Sequence, residues 1–124
     1  MILTVVQLLV RPEISDSFPY LMREFTEQTR AQAGNLWCTW SRNVEDPDEY
    51  TLNEAFVDTE SAIEHATSDY FVEAMRALPE YLTEAPKAIN IDHPGDGWIR
   101  LADLPFFVEQ PAAMGRYRGN IGAL

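Results

Sequence analysis

The 124-residue sequence predicts a single α+β domain in which the elements run strand, helix, strand, strand, helix, strand. Three observations carry that expectation. The chain opens on a Val- and Leu-rich run, Leu3 to Arg11, that stops at Pro12. Two more β-favouring runs, Asn35 to Arg42 and Tyr50 to Val57, are separated only by a turn. Apolar residues also recur at helical spacing in two places, first at Phe18, Leu21, Met22 and Phe25, then at Phe71, Met75, Leu78 and Leu82.

Taken in order, Leu3 to Arg11 shows no clean alternation, as expected of a strand buried on both faces. Ser15, Asp16 and Ser17 offer N-cap side chains for the first helix, Pro19 is tolerated in its first turn, and Gly34 is placed to close it as a C′ residue. Asn35 to Arg42 (NLWCTWSR) is aromatic and reads as a second strand. Glu45-Asp46-Pro47-Asp48 is a turn, so Tyr50 to Val57 (YTLNEAFV) pairs with it as a hairpin. Asp58-Thr59 caps a short helix holding Ala62, Ile63 and Ala66; Ser68 restarts it; Pro79 is expected to bend or end it before Pro86 stops it. Lys87 to Asp92 is a short fourth strand. This order is the ferredoxin-like split βαβ arrangement, a four-stranded antiparallel sheet with helices on one face. Leu36, Cys38 and Trp40 make one side of the second strand apolar and Trp37 the other, so a second copy is expected to cover the free face as a homodimer.

Charge divides the chain. Residues 1–94 carry 17 acidic and 6 basic side chains and residues 95–124 carry 3 and 3, so the net −11 lies wholly in the first part. The break falls at His93-Pro94-Gly95-Asp96-Gly97, which separates a domain over residues 1–93 from an extension over 94–124. The extension, with Trp98, Phe106, Phe107 and Tyr117, is expected to pack on its own domain or on the partner protomer, as a peripheral wrap, a swapped arm or a lid over the pocket. A net −11 excludes nucleic acid and anionic membrane surfaces as natural partners. No apolar run reaches the roughly 18–20 residues of a membrane span. The apolar start lacks a basic region and a cleavage site, and the single Cys38 permits no internal disulfide, so the expected compartment is the cytoplasm.

Within this frame, Gly34-Asn35-Leu36, Glu54-Ala55-Phe56-Val57-Asp58 and His65-Ala66-Thr67-Ser68-Asp69-Tyr70-Phe71 resemble the antibiotic-biosynthesis-monooxygenase domain over residues 1–93. The most specific part is the string E-x-F-x-D-x6-H-x2-S-x2-F from Glu54 to Phe71; Phe56 stands where many relatives carry Trp. The resemblance implies a dimeric α+β barrel with a pocket between sheet and helices in each protomer. It also implies a range of activities: cofactor-independent quinol and anthrone oxygenases, haem-degrading enzymes and small-molecule isomerases. Fold alone does not choose among them. Haem degradation is disfavoured, because Met75 and Arg76 stand where that branch places its ligating His and His65 stands where it places a Trp.

His65 is the candidate general base, since His alone titrates near neutral pH without special help; the bland reading is a helix histidine in a cap or surface contact. Glu54 shares a strand face with Phe56 and, if that face meets the helices, can orient or charge-stabilise His65; otherwise it is a solvated carboxylate. Trp40 and Tyr70, each a large apolar body with a polar tip, are candidate substrate contacts with Phe56, Phe71 and Trp37, although most such residues are simply core. Arg11 and Arg42 lie at strand ends, where arginines are more often solvated. No metal site is expected, because His65 and His93 are not at ligand spacing and Cys38 is alone. No cofactor is expected either: Gly95-Asp96-Gly97 opens no helix that would cradle a phosphate. The expected activity is a cofactor-independent monooxygenation of an electron-rich aromatic (quinol, phenol or anthrone-like), with oxygen as co-substrate. An isomerase or lactone-type reaction on the same base and a non-enzymatic small-molecule-binding module are the alternatives.

Overall fold

The computed structural model describes residues 1–95 and 97–108. Strands β1 (Ile2–Leu9), β2 (Asn35–Arg42), β3 (Glu49–Phe56) and β4 (Lys87–Asp92) form one antiparallel sheet in the order β2-β3-β1-β4. β1 is central, pairing with β3 from Ile2↔Phe56 to Leu9↔Glu49 and with β4 from Ile2↔Asp92 to Gln7↔Lys87. The expectation that β1 is buried on both faces is corrected: only Ile2 and Leu8 are buried, because the helices cover one face of the sheet and leave the other open. The helices are α1 (Phe18–Leu21), α2 (Arg23–Ala31), α3 (Thr59–Ala66) and α4 (Asp69–Tyr81). The ferredoxin-like α+β architecture follows as expected. Among the described residues, no helix is long and apolar enough to cross a membrane.

Side chains alternate across the sheet. On the helix side Leu8, Cys38, Tyr50 and Leu52 meet Phe18, Met22, Phe25, Leu78 and Leu82 to form the core. The opposite side carries Leu3, Val5, Asn53, Ile89 and Ile91, brought together by the register Val5↔Asn53, Val5↔Ile89 and Leu3↔Ile91. Trp37 joins this open side, where its indole N–H donates to Asn53 Oδ1 at 2.8 Å. Leu36 does not share the Cys38 face: the β2–β3 register shifts between Asn35 and Trp37, and Leu36 is left 42% exposed.

Three local expectations are corrected. None of Ser15, Asp16 and Ser17 caps the first helix, because a 3-10 turn over Pro12–Ser17 runs straight into α1 and holds Ser17 in helical backbone (φ −88°, ψ −10°). Ser15 Oγ donates instead to the Pro47 carbonyl at 2.8 Å, and Asp16 pairs with Arg42 at 2.8 Å, so Arg42 is structural. Pro79 does not end its helix; α4 continues two residues past it to Tyr81, at the loss of the one i→i−4 hydrogen bond that Pro79 cannot donate. Gly34 is not a left-handed C′ residue, since no described glycine has positive φ and the chain leaves α2 through an extended Gln32 (φ −69°, ψ 129°).

Gly34 is required for a different reason. A Cβ there would lie 2.1 Å from Ser61 Oγ and 2.3 Å from Ser61 Cβ, so the absence of a side chain lets the α2–β2 connection press against α3. Gly34→Ala is expected to destabilise the protein by about 1–3 kcal/mol, the usual cost of an inserted methyl group in a packed site. Urea unfolding measures it; an unchanged midpoint would mean that Ser61 has room to turn away.

Beyond β4, Gly97, Trp98 and Ile99 lie on the open side against Leu3, Trp37 and Asn53, and Trp98 meets Trp37 in a tilted ring contact at a centroid distance of 5.3 Å. A 3-10 turn (Leu101–Asp103) and the short α5 (Pro105–Val108) follow. Gly97, Trp98 and Ile99 thus sit on the sheet face away from the helices. The expectation placed on Tyr117 falls outside the described residues.

Candidate functional site

Two caps place the site's residues. Asp58 accepts a hydrogen bond from the Ser61 N–H at 2.8 Å and starts α3; Ser68 accepts one from the Phe71 N–H at 3.3 Å and starts α4. Between them the chain turns at Thr67, with its N–H bonded to the Ile63 carbonyl at 2.9 Å. That turn stacks the last turn of α3, which carries His65, against the first turn of α4, which carries Tyr70 and Phe71. Glu54 comes up from β3, flanked in the sheet by Thr4 of β1 and Cys38 of β2. So the strand face expected to meet the helices does so.

His65 and Glu54 are both buried, at 4% and 5% exposure. His65 Nε2 lies 3.6 Å from Glu54 Oε1, longer than a hydrogen bond. Neither His65 Nε2 nor Glu54 Oε2 has a hydrogen-bond partner. Leaving such a group buried and unpaired costs about 1–3 kcal/mol, so two of them, in residues that line one cavity, mark a place where a ligand's donor would be welcome. The imidazole is framed by rings, with Phe56 at 4.7 Å, Phe71 at 5.1 Å edge-on and Phe25 at 5.7 Å.

Two cavities meet at Glu54, and His65 lines the larger of them. One of about 450 Å³ lies against α3 and is lined by Thr4, Glu54, Phe56, His65, Phe71 and Asn90 among others. A second, of about 240 Å³, lies between the sheet and α4 and is lined mostly by apolar groups including Phe25, Trp40, Leu52, Phe71 and Met75. Thr4, Glu54 and Phe71 border both. A ring-sized molecule in either would touch the unpaired carboxylate oxygen's residue.

Of the residues singled out in the sequence, His65, Glu54, Phe56 and Phe71 come together here. Trp40 lines the smaller cavity, but its N–H is spent on Thr26 Oγ1 at 2.8 Å, so its polar tip faces the core. Tyr70 lines neither cavity; its hydroxyl contacts His65 Nδ1 at 2.8 Å and donates to Gln32 Oε1 at 2.9 Å. Trp37 is not part of the site, because strand alternation puts it on the other side of the sheet with Asn53. Sequence reasoning passed over Gln32, Thr4, Phe25 and Asn90. Phe25 was legible only as helix core, and nothing in the local sequence marks Gln32, which reaches the site through the chain reversal after α2.

Cys38 sits beside the pair without joining it. Burial, and secondarily the nearby Glu54 charge, pushes its thiol up from 9.0 to about 12. The thiol should therefore resist alkylation in the folded protein even at pH 9, where about one molecule in a thousand would carry the thiolate. Denaturant should expose it at once; labelling of native protein at the rate of a free thiol would contradict this burial. The shift also fixes a sign: the neutral thiol favours the folded state fully below pH 9, and that contribution is lost as pH rises toward about 12.

Comparison with known proteins agrees with this architecture. A family model described as antibiotic biosynthesis monooxygenase matches residues 1–77. A crystal structure of an antibiotic biosynthesis monooxygenase superposes with a TM-score of 0.69 at 20% identity, covering 77% of this chain and 100% of that one. A conserved protein from Methanosarcina mazei Go1 gives 0.69 at 27% identity over 73% of this chain and 89% of its own. Rv0793 from Mycobacterium tuberculosis gives 0.70 at 16% identity over 78% and 98%. At such identities the superpositions of the first and third speak for the fold alone. Among curated proteins none matches this chain.

Proposed function

The chain belongs to the antibiotic biosynthesis monooxygenase family, and from that premise we propose that it oxygenates an electron-rich hydroxyaromatic small molecule without help from a cofactor. The observation that carries the proposal is the pair of unpartnered buried atoms, His65 Nε2 and Glu54 Oε2, beside a cavity walled by Phe56 and Phe71. A phenol or enol hydroxyl entering that cavity supplies the missing hydrogen bond. Its proton ends on His65 Nε2, and the Glu54 carboxylate 3.6 Å away stabilises the imidazolium so formed.

Deprotonation is the step the protein must provide. Triplet oxygen reacts slowly with closed-shell organic molecules, but an anionic phenolate or enolate donates one electron to it. The resulting radical pair joins as a carbon-bound peroxide. For an anthrone-type methylene carbon, loss of water then leaves a carbonyl: one oxygen atom stays in the product, the other leaves as water, and the substrate supplies all four electrons. The aromatic walls hold the ring by stacking and keep water from the anion.

Oxygen consumption by the metal-stripped protein against a panel of quinols and anthrones tests the reaction. Uptake matched by carbonyl product supports it. No uptake across the panel, with solvent hydrogen exchanged into the substrate next to its carbonyl, would replace it with proton-transfer chemistry at the same base.

The same reading includes a homodimer. The open sheet side presents Leu3, Val5, Trp37, Ile89 and Ile91 as an apolar patch, with the charged Glu49 and Lys87 of the same face confined to its far end. A second copy docked on that patch would cover the apolar surface. A monomeric mass in light scattering at micromolar concentration would discard the dimer.

A further inference from the structure

We propose that Gln32 and Tyr70 are positioning residues that lock the His65 imidazole in the Nδ1-protonated tautomer and thereby hold the Nε2 lone pair toward Glu54 and the cavity. The argument follows from which atoms can donate. Gln32 Nε2 lies 2.8 Å from the Ser61 carbonyl, which can only accept, so the Gln32 amide nitrogen must face it. Gln32 Oε1 is then turned to the Tyr70 hydroxyl at 2.9 Å and can only accept in its turn. The single phenolic proton is committed to that bond. At 2.8 Å from His65 Nδ1, the Tyr70 oxygen is left as an acceptor, and Nδ1 must carry the proton.

No neighbouring hydroxyl reverses the direction, and Glu54 Oε1, at 3.6 Å from Nε2, is too far to take a hydrogen bond from it. The hydroxyls of Thr29 and Ser68 spend their own protons on the carbonyls of Phe25 and His65, at 2.8 and 2.6 Å. Burial pushes the Tyr70 phenol up from its ordinary value, so it keeps its proton at neutral pH. The relay thus runs from the α3 backbone at Ser61, through the α2–β2 connection, into α4 and back to the end of α3. Gly34 belongs to the same junction, since only a residue without Cβ allows the close approach to Ser61 that Gln32 needs. In the opposite tautomer, Nε2–H would face Glu54 and no lone pair would meet a substrate hydroxyl.

The tautomer is independent of the reaction proposed above, whereas its value for turnover rests on that reaction, and the experiment separates the two. Ring-nitrogen NMR shifts of the isotope-labelled full-length protein at about pH 9, where a histidine carries a single ring proton, read the tautomer directly. His65 and His93 are the only histidines, so His93→Gln assigns the signals. The expected wild-type pattern has a protonated Nδ1 and a bare Nε2. Tyr70→Phe removes the acceptor and should move the proton to Nε2; Gln32→Leu should produce a mixture; Gln32→Glu, which still accepts from Tyr70, should restore the wild-type pattern. A bare Nδ1 in the wild type, or a Tyr70→Phe spectrum identical to it, overturns the inference. With an active substrate, Tyr70→Phe should lower kcat at least about tenfold at nearly constant KM, as a wrong tautomer does. The Nδ1-protonated ring without any oxygen uptake keeps the relay and discards the reaction; uptake with a bare Nδ1 does the reverse.

Discussion

His65→Gln is expected to reduce oxygen uptake on an active substrate by about 10²–10⁴-fold, the usual share of a positioned general base, while leaving a folded protein. Glutamine keeps a polar group against Tyr70 and fills most of the volume among Phe25, Phe56 and Phe71, so the aromatic frame around position 65 stays closed. What it lacks is a nitrogen able to take a proton. Glu54→Gln should cost less in turnover, since it removes the charge that stabilises the imidazolium and leaves the base in place. The two together should cost about as much as His65→Gln alone, because residues acting on one proton do not contribute independently. A substrate supplied as its preformed anion, at a pH where it ionises unaided, should recover much of the lost rate in His65→Gln. Wild-type turnover in His65→Gln would remove the base from position 65; equal, additive losses would mean that the two residues serve separate steps.

The fold was legible because each element is announced by a local rule that the tertiary structure does not override. The hairpin of β2 and β3, the Asp58 and Ser68 caps, and β4 all lie within a residue or so of where pattern and turn chemistry put them. Where the rules misled, competition decided: Ser15 and Asp16 had better partners in Pro47 and Arg42 than the helix N-terminus, and Gly34 was needed for a close approach rather than for its backbone freedom. The site was half legible. Strand alternation was enough to put Glu54 and Phe56 on one face and to separate Asn53 from them, and the same rule, which sets Trp37 opposite Cys38 and Trp40 in β2, already argued against Trp37 as a substrate contact. Gln32 could not be found this way. It lies 33 residues before His65 and is tied to it only through Tyr70 and Ser61, contacts that no periodicity encodes. Tyr70 was noticed for its polar tip, but the use of that tip depends on a partner the sequence does not place beside it.

Phe18→Ala is expected to be the most destabilising single change in the helix layer, costing about 3–5 kcal/mol, as full truncation of a buried Phe does. Phe18 is 0% exposed and is the hub of three aromatic contacts, edge-on to Trp40 at 5.5 Å, tilted to Tyr50 at 5.1 Å and edge-on to Tyr81 at 6.5 Å. Those partners come from β2, β3 and α4, so one ring ties both strands of the hairpin to both helical segments. The neighbours cannot collapse to fill its space, because each is held elsewhere: Trp40 by Thr26 Oγ1 at 2.8 Å and Tyr50 by the Ser15 carbonyl at 2.8 Å. A site that cannot relax keeps its cavity, which puts the cost at the upper end of the range. Against a typical total stability of about 5–15 kcal/mol, that leaves a folded but marginal protein, and denaturant unfolding at low temperature is the measurement that reads it. Phe18→Leu, which refills most of the volume, should lose well under half as much. Phe18 touches neither His65 nor Glu54, so any effect on turnover has to pass through Trp40, which lines the smaller cavity. A higher KM at unchanged kcat, measured well below the melting transition, would mean that substrate rings rest on Trp40; both parameters unchanged would confine them to the larger cavity beside His65. A loss below about 1 kcal/mol in Phe18→Ala would contradict the packing itself, since truncating a buried, immobile ring cannot be that cheap.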